Sequence, residues 1–175
     1  MRRLAAWALA WSAIACEGSS EVNDVADAGP KPLFPESFQN EFAIARDCRH
    51  SHEHDLRYIQ VWANDLAKEP YAKLSSDFPY LPGATLVKHE YDDEDCTTLL
   101  GYTVMYREAP PYSPGTFNWH WQKLDVDRNV IEDGPQIARC IACHTTHCTP
   151  PRGAGFELTC VDDAGPPPAA PTRRD

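Results

Sequence analysis

Residues 116–126 read TFNWHWQKLDV, with Phe117, Trp119 and Trp121 at every second position. Side chains that alternate in this way share one face of a β-strand, whereas a helix would space them three and four apart. A strand here argues against an all-helical bundle. It also turns His120 away from the two indoles.

The same aromatic and β-branched character marks Leu56–Trp62 (LRYIQVW) and Leu99–Arg107 (LLGYTVMYR). Ala84–Tyr91 (ATLVKHEY) follows the turn signal Pro82-Gly83 and reads as a further strand. Helical signals are fewer. Pro35 ahead of Glu36 and Ser37 opens a helix with Phe38, Phe42 and Ala45 on one face. Asn64–Ser75 reads as a short helix, and Asp133-Gly134-Pro135 starts a last one carrying CIACH at 140–144. The sum is an α+β domain, mainly antiparallel sheet with a few helices, over residues 33–160. There is no internal repeat.

Both ends differ from this body. Residues 1–16 (MRRLAAWALAWSAIAC) begin with Arg2 and Arg3 and continue as an apolar run too short to span a bilayer. They read as an export signal of the lipoprotein type, with a lipid anchor at Cys16. The alternative is plain signal cleavage nearby. Residues 17–32 are polar and acidic and read as a flexible tether, and the proline-rich 161–175 as a disordered tail. The expected location is the periplasm, an oxidising compartment in which paired cysteines form disulfides. Net charge is −10, and loss of Arg2 and Arg3 with the signal makes it −12. Such a surface argues against nucleic acid or anionic membrane as a partner and suits a basic redox partner protein.

CIACH carries the chemistry. Two cysteines separated by two residues and followed at once by histidine form the attachment pattern of c-type haem. On a helical turn Cys140 and Cys143 face the same side and can each bond a vinyl group, which leaves His144 beside the iron as proximal ligand. A redox dithiol has no need of the histidine, and no second CxxC supplies zinc ligands.

The opposite face of the iron decides what the haem does. Methionine is a poor candidate, because Met1 leaves with the signal and Met105 sits in an alternating strand where it reads as core. Six histidines besides His144 keep a bis-histidine site open. His50, His52 and His54 in RHSHEHD would share a face on a strand, but such a cluster more often forms a solvated loop entrance. One of them reaching the haem is the more interesting reading. His147 is expected at the surface and His89 as a solvated strand residue.

A CxxCH that comes late, after a β-rich body, does not suit the small helical cytochromes c. The chain instead resembles the cytochrome P-460 family, which includes the cytochromes c′-beta. The resemblance runs over roughly Pro35 to His147 through DLRYIQVWAN, FPYLPGATLVKHEY, GTFNWHWQKLD and CIACH, in the family's order. It implies a dimeric, β-rich protein with one haem c and an open iron site. It also implies a lysine cross-linked to the porphyrin in those members that oxidise hydroxylamine. That lysine matches Lys88, which on a strand would otherwise read as solvated. Arg57 falls at the family's distal arginine, and His54 lies near its distal aromatic position, a departure that would supply a base or a second iron ligand. For a catalytic carboxylate Glu108 is one candidate and Glu90 another.

The expected activity is hydroxylamine oxidation at an exported haem site, with His54, Arg57 and Glu108 in catalytic positions. The alternatives are a cytochrome c′-beta-like protein that binds nitric oxide without catalysis and a bis-histidine electron carrier. Cys48, Cys96, Cys148 and Cys160 remain as structural cysteines with three possible pairings. Cys148–Cys160 is the local choice, and Cys48–Cys96 would tie the first helix to a sheet loop.

Overall fold

The computed structural model describes residues 29–51, 54–55, 57–149 and 155–161 of the chain. The export signal with Cys16, most of the tether, and the tail beyond Val161 lie outside the described residues. No helix among the described residues is long and apolar enough to cross a membrane.

The described residues form a mainly antiparallel sheet with three helices, an α+β arrangement. Six strands follow one another in chain order: β1 (Ala43–Ser51), β2 (Arg57–Ala63), β3 (Thr85–Tyr91), β4 (Leu99–Arg107), β5 (Trp119–Leu124) and β6 (Val130–Gly134). Helix α1 (Phe38–Glu41) precedes the sheet, α2 (Asp65–Lys73) joins β2 to β3, and α3 (Ala138–His147) follows β6. A ribbon of β7 (Gly155–Phe156) and β8 (Thr159–Cys160) closes the described chain.

Local chemistry fixes these boundaries. Asn64 caps α2 by accepting from Ala67 N at 3.1 Å. The same oxygen takes Thr85 N at 3.0 Å while the amide nitrogen donates to Gly83 O at 2.8 Å. One side chain therefore ties the helix start to the head of β3. Gly83 turns the chain at φ +90°, a conformation that glycine adopts without strain. At Gly101 a Cβ would stand 2.5 Å from the Leu124 carbonyl oxygen, so only glycine lets β4 approach the end of β5.

Four expectations change. The first helix is a single turn, and Ala45 and Cys48 belong to β1, so the helical spacing of Phe38, Phe42 and Ala45 does not run through one helix. Phe38 and Phe42 still meet edge to face, at 5.8 Å between rings. The aromatic strand starts at Trp119, because Phe117 and Asn118 take positive φ after a 3-10 turn at Pro114–Thr116, and Phe117 is exposed. Asp133 and Gly134 end strand β6 instead of opening a helix; α3 begins only at Ala138. His89 is not solvated but 3% exposed, held by the Tyr91 hydroxyl at 2.8 Å from Nδ1.

The sheet separates two apolar clusters. On one face Phe34 and Phe38 of the leading segment cover Val87, Tyr102, Val104 and Leu124. On the other, Ile59, Val61, Leu86, Met105, Trp119 and Trp121 meet Ile137, Cys140 and Ile141 at the start of α3. Met105 is core, as its alternation implies. Disulfides join Cys48 to Cys96, and Cys148 at the end of α3 to Cys160 on β8. Closing such loops restricts the unfolded chain, by roughly 2–4 kcal/mol each. The first one ties strand β1, not a helix, to the turn before β4.

Candidate functional site

A cavity of about 890 Å³, part of it open to solvent, lies between the sheet and α3. One transverse row of the sheet makes its floor. Val61, Lys88, Thr103, Lys123 and Glu132 are consecutive cross-strand partners from β2 to β6, and all five line the cavity. Residues paired across strands share a face, so the register itself aligns them.

The roof is α3. Cys140 and Cys143 lie one helical turn apart and line the cavity with His144. Both cysteines stand outside the disulfides, and burial pushes the Cys140 thiol up. His144 Nδ1 lies 2.6 Å from the Leu158 carbonyl oxygen. A carbonyl only accepts, so Nδ1 carries the proton and Nε2 keeps its lone pair. Burial, with the Lys88 ammonium adding to it, lowers the His144 pKa to about 4 and keeps the ring neutral. Trp121 packs edge-on to that ring at 4.7 Å. Its own Nε1 is buried with no partner among the described residues, which leaves a donor to be satisfied at the cavity wall.

His54, in the turn between β1 and β2, enters from the side. Its Nδ1 lies 2.7 Å from Ser51 Oγ and its Nε2 meets Lys88 Nζ. If the ammonium donates to Nε2, the proton on the neutral ring sits on Nδ1 and is donated to Ser51. Burial first, then Lys88, His144 and Arg139, hold its pKa far below the usual imidazole range. The two rings, His54 and His144, stand 6.5 Å apart between centroids.

Five of the seven site residues expected from sequence thus converge: His54, Lys88, Cys140, Cys143 and His144 line one cavity. Arg57 comes near but not into it. Its guanidinium donates to Glu90 at 3.0 Å, and Glu90, 6% exposed, lines the cavity two residues from Lys88. Glu108 is elsewhere, with its carboxylate 3.0 Å from His120 Nδ1 beside the stacked Tyr112 ring. His120 belongs to the opposite face of β5, as alternation requires. The carboxylate brought to the cavity from β3 is therefore Glu90.

His147 is exposed at the end of α3, as expected. His50 lies on β1 against Tyr58, and His52 is outside the described residues. Among the described residues no group of three or more His, Cys, Asp or Glu is arranged to hold a metal ion. Sequence reading missed Trp121, Lys123 and Glu132 as cavity walls. Parity with Lys88 through the strand register would have found them, but the register was not known. The sequence matches no family model and no curated protein.

Proposed function

We propose that this chain is an exported c-type monohaem protein of the cytochrome P-460 kind, with its haem in the cavity under α3. One observation carries the reading: Cys140, Cys143 and His144 converge on the cavity that Lys88 and His54 enter from the sheet side. Two thiols one turn apart would suit thioether attachment, and the neutral imidazole of His144, its Nδ1 held by Leu158, would offer Nε2 to the iron. The Leu158 carbonyl fixes that ring's tautomer, as outer partners of metal-bound histidines do. The orphaned Trp121 N–H offers a donor to an acceptor on the bound group. When bound, haem c supplies redox-active iron with a position open to a small nitrogen ligand.

The chain's own residues do the rest. His54 would accept a proton from hydroxylamine at Nε2 once that nitrogen is released from Lys88, which lines the same cavity. Arg57 pairs with Glu90 at 3.0 Å and orients it at the wall. Trp121, Leu86 and Met105 keep water from much of the space. Lys88 is the residue for a cross-link to the macrocycle. Two disulfides support an oxidising compartment, in keeping with export to the periplasm and a lipid anchor at Cys16. A homodimer, and a redox partner protein that takes the electrons, belong to the same proposal. Nitric oxide binding without turnover is the version in which the cross-link or the base is lacking.

A specific distance favours a second reading. The 6.5 Å between the His54 and His144 rings is close to what two imidazoles need when they oppose each other on one metal ion. With metal–nitrogen bonds of about 2 Å their centroids stand roughly 6 Å apart. That is the bis-histidine electron carrier.

The test is the optical spectrum of the purified haem-loaded protein, ferric and then reduced with dithionite. A ferrous Soret band far to the red, lost in Lys88→Ala while haem stays attached, supports the cross-linked enzyme. An ordinary high-spin spectrum moves the reading to gas binding. A low-spin spectrum that turns high-spin in His54→Ala establishes the electron carrier. A chain without any haem band after c-type maturation would sink all three.

A further inference from the structure

The hairpin that brings the Leu158 carbonyl to His144 is strained where it turns. Phe156 on β7 pairs with Thr159 on β8, so Glu157 and Leu158 form a two-residue loop. Both take positive φ, +47° and +65°. That is the pattern of a primed hairpin turn, for which asparagine and glycine are the favoured residues. In glutamate and leucine the Cβ opposes this conformation, so the surroundings must impose it.

Three ties do so. Trp119, at the start of β5, donates from Nε1 to the Glu157 carbonyl oxygen at 2.7 Å. Arg107, its cross-strand partner at the end of β4, pairs with the Glu157 carboxylate at 3.1 Å and lies over the Trp119 ring at 5.4 Å. These two charged side chains are 11% and 14% exposed, so water and salt screen the pair less than one at the surface. Behind the turn, buried Thr159 meets the Tyr80 hydroxyl at 3.0 Å.

The turn delivers one atom to the site. The Leu158 oxygen takes the His144 Nδ1 proton at 2.6 Å, whereas the Cys148 sulfur, 3.8 Å from the same nitrogen, is a weak acceptor. An imidazole without such a carbonyl can carry its proton on either nitrogen. The Cys148–Cys160 disulfide keeps the hairpin beside α3, but a tether two residues from Leu158 limits distance and does not aim a carbonyl.

We propose that Glu157 is a positioning residue for His144. Paired with Arg107, it holds the turn so that the Leu158 carbonyl keeps the proton on Nδ1 and leaves the lone pair on Nε2. Glu157 does not itself line the cavity and acts only through this backbone. That the Nε2 lone pair serves an iron rests on the haem reading; the tautomer does not.

The full chain, haem-free and labelled at its histidine ring nitrogens, is compared by NMR at neutral pH with its variants, and His144→Gln assigns the ring. The unsubstituted chain should show the Nδ1–H form alone. Glu157→Gln should lose that signature and give a mixture of both tautomers. Glu157→Asn together with Leu158→Gly, a pair that takes this turn unaided, should restore it. Phe38→Ala, on the opposite face of the sheet, should lower the thermal midpoint and leave the ring as it is. Should Glu157→Gln not fold, Arg107→Met with Glu157→Gln leaves no buried ion unpaired and should give the same loss. A ring protonated at Nε2 in the unsubstituted chain, or an unchanged tautomer with Glu157→Gln, overturns the proposal. So does a failure of Leu158→Gly to restore the signature, or an equal change with Phe38→Ala. In the haem-loaded chain Glu157→Gln should also raise the midpoint potential, because a ring that loses its outer acceptor is a weaker donor to ferric iron. Absence of a haem band would strike the haem reading and leave the tautomer result standing.

Discussion

Lys88 and His89 are neighbours on β3, yet one meets His54 at a cavity wall while the other is packed among Phe38, Trp62 and Tyr102. The strand alternates, so adjacent residues inherit opposite surroundings. On the His89 face rings pack against one another, Phe38 and Tyr102 edge to face with His89 and Trp62 stacked on it. On the Lys88 face the floor carries lysines, a threonine and a carboxylate, and the roof is a helix with two thiols. Both faces carry an apolar cluster, but on the Lys88 side that cluster borders a cavity with polar walls. Both are built by the same hydrogen-bond ladder.

The contrast can be broken most sharply at the roof. Replacing Cys140 and Cys143 together by alanine, in a chain that also carries Lys88→Ala, should abolish all covalently held haem on a denaturing gel while the disulfides still form. Haem that survives there would remove α3 from the proposal. On the closed face, Phe38→Ala removes a 4% exposed ring that touches Phe34, Phe42, Trp62 and His89. It should cost about 3–5 kcal/mol in denaturant unfolding and leave the haem spectrum unchanged. A loss below about 1 kcal/mol would mean that this face does not carry the stability assigned to it.

His89 gives the closed face a pH signature. Burial lowers its pKa from 6.5 to about 4, with Tyr91 and Tyr102 as its titratable neighbours in ring contact among the described residues. The unfolded chain therefore binds the proton first as pH falls. The stability from a neutral His89 is complete above pH 6.5 and is lost on the way down to about pH 4. The loss amounts to at most about 3 kcal/mol. His89→Phe should flatten the stability–pH curve in that window; an unchanged slope would assign it to the carboxylates instead.

The two carboxylates sharpen the comparison at lower amplitude. If the proposed oxidation of hydroxylamine is this chain's activity, Glu90→Gln should lower its kcat/KM about tenfold or more. Glu108→Gln, on the other face with His120, should stay within about twofold, because surface charge pairs contribute little. Equal effects would mean that the sheet does not separate the two sites.

Four of the six main-sheet strands were legible in the sequence, because LRYIQVW, ATLVKHEY, LLGYTVMYR and NWHWQKL carry β-branched and aromatic residues at period two. Strand β1, reading AIARDCRHS, is charged, bulged and at the edge, so its pattern resembles a helix followed by a loop. Strand β6 ends in Glu132, Asp133 and Gly134 and looks like a turn. The site was legible where chemistry is local, at Cys140, Cys143 and His144. It was illegible where residues meet only through register: Glu90 and Glu108 are equally plausible on paper, and β3 against β4 decides between them. His89 escaped because a histidine beside a lysine reads as exposed until Phe38 is seen to cover it.

The floor of the cavity draws one residue from each of five strands, Val61, Lys88, Thr103, Lys123 and Glu132. Each can be exchanged without disturbing the hydrogen bonds that set the others in place. A lineage built on this sheet can therefore change what it binds one side chain at a time, trying charge, size and reactivity in turn while the scaffold is inherited intact.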